Sequence, residues 1–215
     1  MPEHVRATFT ILKPEYERMQ QSIEMLESKR EEDVVTWNTT LDKEIQGFGD
    51  RIKDMRTQAR DPQILQDTEN PEIVLEHAKK LREEVAELEE WAKEAQKFQS
   101  VFGANLTRYP ELDEVVSDVT IKKSMWEAMV EVGAITEEWK ATPIHELKIK
   151  DIEATVAKWF KAANRANREL PDNEVGPKLL ERVKVYRDLV PCCADLRNID
   201  LQARHWEKID GVVGR

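Results

Sequence analysis

From Lys13-Pro14-Glu15 onward, apolar side chains return every three or four positions: Tyr16, Met19, Ile23 and Leu26, then Trp37, Leu41, Ile45, Phe48, Ile52 and Met55. That is the period of one helix face, and it predicts one long amphipathic helix or a pair of them. Gly47 and Gly49 fall inside the pattern, each costing about 1 kcal/mol relative to alanine in a helix interior, so a kink or break is expected there. Asp61-Pro62 to Asn70-Pro71 reads as a turn, with Asn70 placed to cap the next helix and Pro71 at its first position, where a missing N–H is no loss.

The next stretch is the most regular. Val74, Ala78, Leu81, Val85, Leu88, Ala92, Ala95, Gln99 and Phe102 alternate spacings of four and three, a heptad seam that Gly103 is suited to end. Such a helix would be on the order of 45 Å long. Its seam calls either for a partner helix in the same chain or for self-association as a two-stranded coiled coil.

Tyr109-Pro110-Glu111 opens a third helical region, with Leu112, Val115, Val119, Trp126, Met129, Val132, Ile135 and Trp139 at looser helical spacing up to Thr142-Pro143. A fourth carries Ile149, Ile152, Val156, Trp159 or Phe160, and Ala163, and stops near Leu170-Pro171. A fifth is expected from about Asn173 to Leu189, with Val175, Leu179, Val183 and Tyr186 on one face and Pro191 breaking it. A short last helix runs from about Leu201 to Ile209. The expected fold is therefore all-α, in elongated helical bundles with long antiparallel or coiled-coil-like helices. It is divided near residues 103 to 109 into a long-helix segment, 1–105, and a helical bundle, 106–215.

Composition agrees with this and narrows the function. Charged residues are 35% of the 215 and glycines only seven, the make-up of long helices rather than of sheets. A net charge of −10 sets up a field that repels phosphate backbones and anionic headgroups, which argues against nucleic acid and membrane as partners. No window of about 18 consecutive apolar residues suggests a membrane span, and Met1 to Arg6 lacks the pattern of a secretory leader. Cys192 and Cys193 are adjacent, a spacing poorly suited to a disulfide, and read as two buried thiols.

Chemistry-bearing patterns are missing where an enzyme would need them. No G-x-x-x-x-G-K-[ST] or G-x-G-x-x-G occurs to wrap a phosphate, so no nucleotide cofactor is expected. His145-Glu146 opens a zincin-like pattern, but Ile149 stands where the second histidine would be, so no metal is expected. The acidic runs Glu83-Glu84, Glu87, Glu89-Glu90 and Glu137-Glu138 interleave with Lys79, Lys80 and Arg82 and read as solvated helix faces. No catalytic residue is assigned.

The C-terminal fifth is more particular. The run from Leu189 to Trp206 contains Pro191, then Leu196-Arg197-Asn198, then Arg204-His205-Trp206. It resembles the signature at the start of the linker in dynein heavy chains, the axonemal type above the cytoplasmic. Trp139 before Thr142-Pro143, the helix through Ile152, Trp159 and Phe160, and Glu169-Leu170-Pro171 lengthen the resemblance to roughly residues 130 to 215. The earlier residues look only generically like the helical tail that precedes the linker. One departure is Ile199-Asp200, where the family often has proline after the Leu-Arg-Asn, which puts the local turn in doubt.

The resemblance implies a motor subunit whose full chain carries a ring of AAA+ modules, a microtubule-binding stalk and a linker that swings across the ring. None of the catalytic parts lies in this sequence, and Arg215 falls before most of such a linker would be complete. The expectation is a segment joining tail to linker that carries force or attachment and performs no chemistry. Partners would be the rest of the heavy chain, with dynein light or intermediate chains or a second heavy chain as further candidates, in the cytoskeleton of a cilium or flagellum. Within the signature, Trp206 offers a large apolar body and Arg204 and His205 offer donors suited to fastening a helix start to a neighbouring bundle. The alternative of a different class is a free-standing helical adaptor or spectrin-like spacer acting through the heptad seam.

Overall fold

A computed structural model describes residues 3–67, 70–197 and 200–214. Its elements are α1, Glu3–Ala59; a short 3-10 helix, Pro62–Ile64; α2, Pro71–Val101; α3, Pro110–Ala141; α4, Ile149–Glu169; α5, Val175–Leu196; and α6, Ala203–Val213. Among the described residues there is no strand, and the all-α expectation holds.

Boundaries followed local signals with two exceptions. α1 runs through Gly47 and Gly49 without interruption, and Pro14 lies inside it instead of opening it. Between those glycines Phe48 is 2% exposed, and burying it outweighs the propensity cost. The second exception is Pro191, which does not break α5: the helix continues to Leu196. Pro191 is exposed, so the carbonyl it leaves unbonded one turn earlier is not forced into a dry core.

The chain packs as two compact units, Met1–Arg51 with Glu90–Tyr109, and Ile52–Glu89 with Pro110–Arg215. In the first, Phe48 of α1 stacks on Trp91 of α2 with ring centroids 4.1 Å apart, and Tyr109 meets Phe48 edge-on at 5.1 Å. α2 ends as its glycine predicts. Gly103 adopts φ 67°, the Ala104 N–H donates to Gln99 O at 2.8 Å, and the Gly103 N–H reaches Ser100 O, which satisfies the last carbonyls. Gln99, though buried, is fully engaged: its amide donates to Thr107 Oγ1 and its carbonyl accepts the Thr107 N–H, at 2.8 and 2.9 Å.

The second unit is organised around α3, which buries more than one face: Leu112, Val115, Val119 and Trp126 on one side, Ile121, Met125 and Ala128 on another. α3, α4 and α5 form an up-down-up bundle, α4 antiparallel to both neighbours. Ile152, Val156, Trp159 and Ala163 of α4 and Val175, Leu179 and Val183 of α5 fill it, the faces their spacing predicts.

Two side chains of α3 finish the end of α1 and the short helix. The Lys122 ammonium, 2% exposed as a residue, donates to Ala59 O at 2.6 Å and pairs with Asp118 at 2.7 Å. The Trp126 indole N–H donates to Ile64 O at 2.8 Å. Both carbonyls are helix-end acceptors that would otherwise be buried and unbonded. The heptad seam of α2 is likewise satisfied within one chain: Ala78, Leu81, Val85, Leu88, Ala92 and Ala95 are all buried. Of the two partners the seam allowed, the intrachain one is realised.

Candidate functional site at the C-terminal signature

The signature residues occupy three places. Trp159 and Trp139 stand in the α3–α4–α5 bundle, Pro191, Leu196 and Arg197 at the end of α5, and Arg204, His205 and Trp206 at the start of α6. Asn198 and its neighbour Ile199 lie outside the described residues.

Trp159 has no exposed surface; its ring packs on Trp139 at 5.4 Å, and Trp139 in turn meets Tyr186 of α5 edge-on at 6.2 Å. One aromatic from each helix thus joins a chain of ring contacts, with Trp159 buried and Trp139 and Tyr186 half-buried. The Trp159 indole N–H donates to Glu131 Oε2 at 2.7 Å, and Lys158 Nζ pairs with the other oxygen at 3.0 Å. Burial by itself raises the Glu131 pKa, but the Trp159 and Lys158 contacts outweigh it and hold the carboxyl below its ordinary value. Nearby, the Arg187 guanidinium lies over the Phe160 ring, 4.6 Å from its centroid, and ties α5 to α4.

Arg197 makes the longest-range bonds of the signature. Its guanidinium donates to the Leu147 carbonyl and, at 3.2 Å, to the His145 carbonyl. Both belong to the connector between α3 and α4, so one planar fork fastens the last turn of α5 to the loop that links the other two helices. His145, the lone histidine of the sequence reading, thus contributes its backbone, and its ring is exposed. At the opposite end of α5 a second clasp forms. The Glu174 N–H donates to Leu65 O at 3.1 Å, the Asp67 N–H donates to Glu174 Oε2 at 3.3 Å, and Lys178 pairs with Asp67.

The Arg-His-Trp triplet behaves differently from its expectation. The described bonds of Arg204 and His205 stay in their own turn instead of reaching a neighbouring bundle: the Gln202 N–H points to His205 Nδ1 at 3.1 Å, and Arg204 Nε to His205 Nε2 at 3.3 Å. A neutral imidazole has one acceptor nitrogen, so only one of the two is made at a time, and the shorter closes the N-terminus of α6 as a capping box does. Trp206 is half-buried. The cysteines also differ from expectation, Cys192 being exposed and Cys193 half-buried, because the helix that carries them continues past Pro191 and turns Cys192 outward.

Among the described residues no group of three or more His, Cys, Asp or Glu side chains is placed to hold a metal ion, and no helix is long and apolar enough to cross a membrane. What the arrangement provides is bracing: aromatic packing between the helices and charged clasps at both ends of α5. It defines an internally braced all-α segment.

Residues 112–215 match the family model of the dynein heavy chain, N-terminal region 2. The chain is 25% identical over 207 residues, 96% of its length, to dynein axonemal heavy chain 6 of Homo sapiens. It is 25% identical over 130 residues, 60% of its length, to the ciliary dynein beta chain of Heliocidaris crassispina. To the flagellar outer-arm dynein alpha chain of Chlamydomonas reinhardtii it is 24% identical over 98 residues, 46% of its length. It spans 5%, 3% and 2% of those relatives' own lengths. Residues 112–215, just under half of the chain, thus carry a dynein heavy chain N-terminal region, and the chain as a whole is similar to axonemal dynein heavy chains.

Proposed function

We propose that this chain is a non-catalytic mechanical segment of a dynein heavy chain, joining the tail, 1–105, to the start of the linker, 106–215, that swings across the AAA+ ring. The observation that carries this reading is the Arg197 fork, a signature residue that ties the end of α5 to the α3–α4 connector. A bundle whose helices are tied at their ends resists shear between them, which is what a lever needs. The aromatic centre at Trp139 and Trp159, the exposed Pro191, and Leu196 and Arg197 form the stiff part. Arg204, His205 and Trp206 start the helix that leads onward.

In this reading the partners are the rest of the heavy chain and the light or intermediate chains it assembles with, and the location is the axoneme of a cilium or flagellum, in keeping with the names of the relatives. The test is an immunoblot of isolated axonemes with antibodies raised against this chain. A band many times larger than 25.1 kDa that sediments with microtubules and is released by ATP is expected. A single band near 25.1 kDa would make this a free-standing helical spacer and overturn the reading.

A further inference from the structure

The seam suited to a partner on α2 is covered within the chain; the uncovered seam is on α1. Leu12, Tyr16, Met19, Ile23 and Leu26 are spaced four, three, four and three residues apart, and they are 58, 56, 54, 46 and 67% exposed. Single exposed apolar residues are ordinary on a surface. Five in register along about four helical turns form one continuous stripe of the kind two helices bury together.

The charges beside the stripe select its occupant. Glu15, Ser22 and Lys29 flank it on one side, and Lys13, Gln20 and Glu27 on the other. A second copy laid antiparallel, Met19 of each against Ile23 of the other, sets Glu15 opposite Lys29 and Lys13 opposite Glu27, and the two-fold axis repeats both pairs. Ser22 and Gln20 then face their own copies. Laid parallel, Glu15 faces Gln20, Ser22 faces Glu27 and Lys29 faces Val34, while Arg30, at the next seam position, faces another Arg30. The antiparallel arrangement gives every flanking charge an opposite partner and brings Arg30 only to the end of the seam, beside Leu12 of the other copy; the parallel one gives no such pair and sets Arg30 against Arg30.

We propose that residues 12–29 of α1 pair with the same segment of a second copy of this chain as a two-stranded antiparallel coiled coil. In a single copy Lys13 sits 3.7 Å from Glu17, and Arg18 sits 3.2 Å from Glu15; both pairs are exposed, and exchanging them for partners across the seam loses little. The inference does not depend on the mechanical role proposed above.

Light scattering on the full 215-residue chain tests it: the mass should rise from 25.1 kDa toward twice that value as concentration increases. Met19→Glu should hold the mass at the monomer value. Lys29→Glu should weaken the dimer about tenfold, and adding Glu15→Lys to it should restore affinity, as only the antiparallel pairing allows. Orientation is read separately in a Cys192→Ser, Cys193→Ser background, where Ser22→Cys should cross-link to itself on mild oxidation and Leu26→Cys should not. These positions are exposed, apart from the half-buried Cys193, whose thiol-to-hydroxyl change is small, so circular dichroism should be unchanged in each variant. A mass of 25.1 kDa at every concentration, a dimer indifferent to Met19→Glu, or cross-linking at Leu26→Cys but not at Ser22→Cys would overturn the proposal.

Discussion

At Trp159 an indole with no exposed surface meets Trp139 on one side and gives its N–H to the Glu131 carboxylate, so truncation removes packing and a hydrogen bond together. Trp159→Ala should destabilise the second unit by about 3–5 kcal/mol, measured by urea unfolding. Trp206, half-buried, should cost less, about 1–2 kcal/mol on truncation. Glu131 adds a pH signature. Its folded pKa lies below the ordinary 4.5, so its contribution is complete above that value and is lost as pH falls through the folded value. Glu131→Gln should therefore flatten the acid limb of a stability-versus-pH curve while leaving the shape near neutrality unchanged. Of this site the sequence showed the tryptophans as core anchors, since large apolar residues at helical spacing have little else to do. It singled out Arg197 within the signature but not what Arg197 holds: the acceptors are backbone carbonyls 50 and 52 positions away, and a carbonyl leaves no mark in side-chain identity.

Among the elements, α2 and α5 make opposite cases. The heptad seam of α2 was legible residue by residue, because a spacing of four and three admits one buried face and Asn70-Pro71 and Gly103 mark its ends. α5 was misread at Pro191, where a local rule about proline did not hold: the residue is exposed, close to the helix end, and the helix runs on to Leu196. Proline in a helix interior is unfavourable by up to about 3 kcal/mol, so Pro191→Ala should stabilise α5, by about 1–2 kcal/mol this near its end, read as a higher midpoint of thermal unfolding. The junction of α1 with α3 should respond the other way. Lys122→Met deletes a buried donor that serves both Asp118 and the Ala59 carbonyl, and it should cost about 2 kcal/mol and unlatch the end of α1, seen as faster amide exchange near Ala59. That latch had no sequence signal, because a lysine in an acidic, charge-rich helix looks like every other surface lysine.

Taken whole, the molecule is cross-braced by side chains between its helices, and that bracing is what the proposed mechanical role rests on. The Arg197 fork is the feature on which that account turns, and it is testable without disturbing the core, because Arg197 is exposed and its loss should cost only about 1 kcal/mol. The direct measurement is microtubule gliding and ATP turnover, side by side, for the full heavy chain with and without Arg197→Ala. Slower gliding with ATP turnover retained is the predicted result, since a slack bundle wastes displacement without touching the ring. Gliding and turnover both unchanged would show that the fork carries no load and would contradict the account.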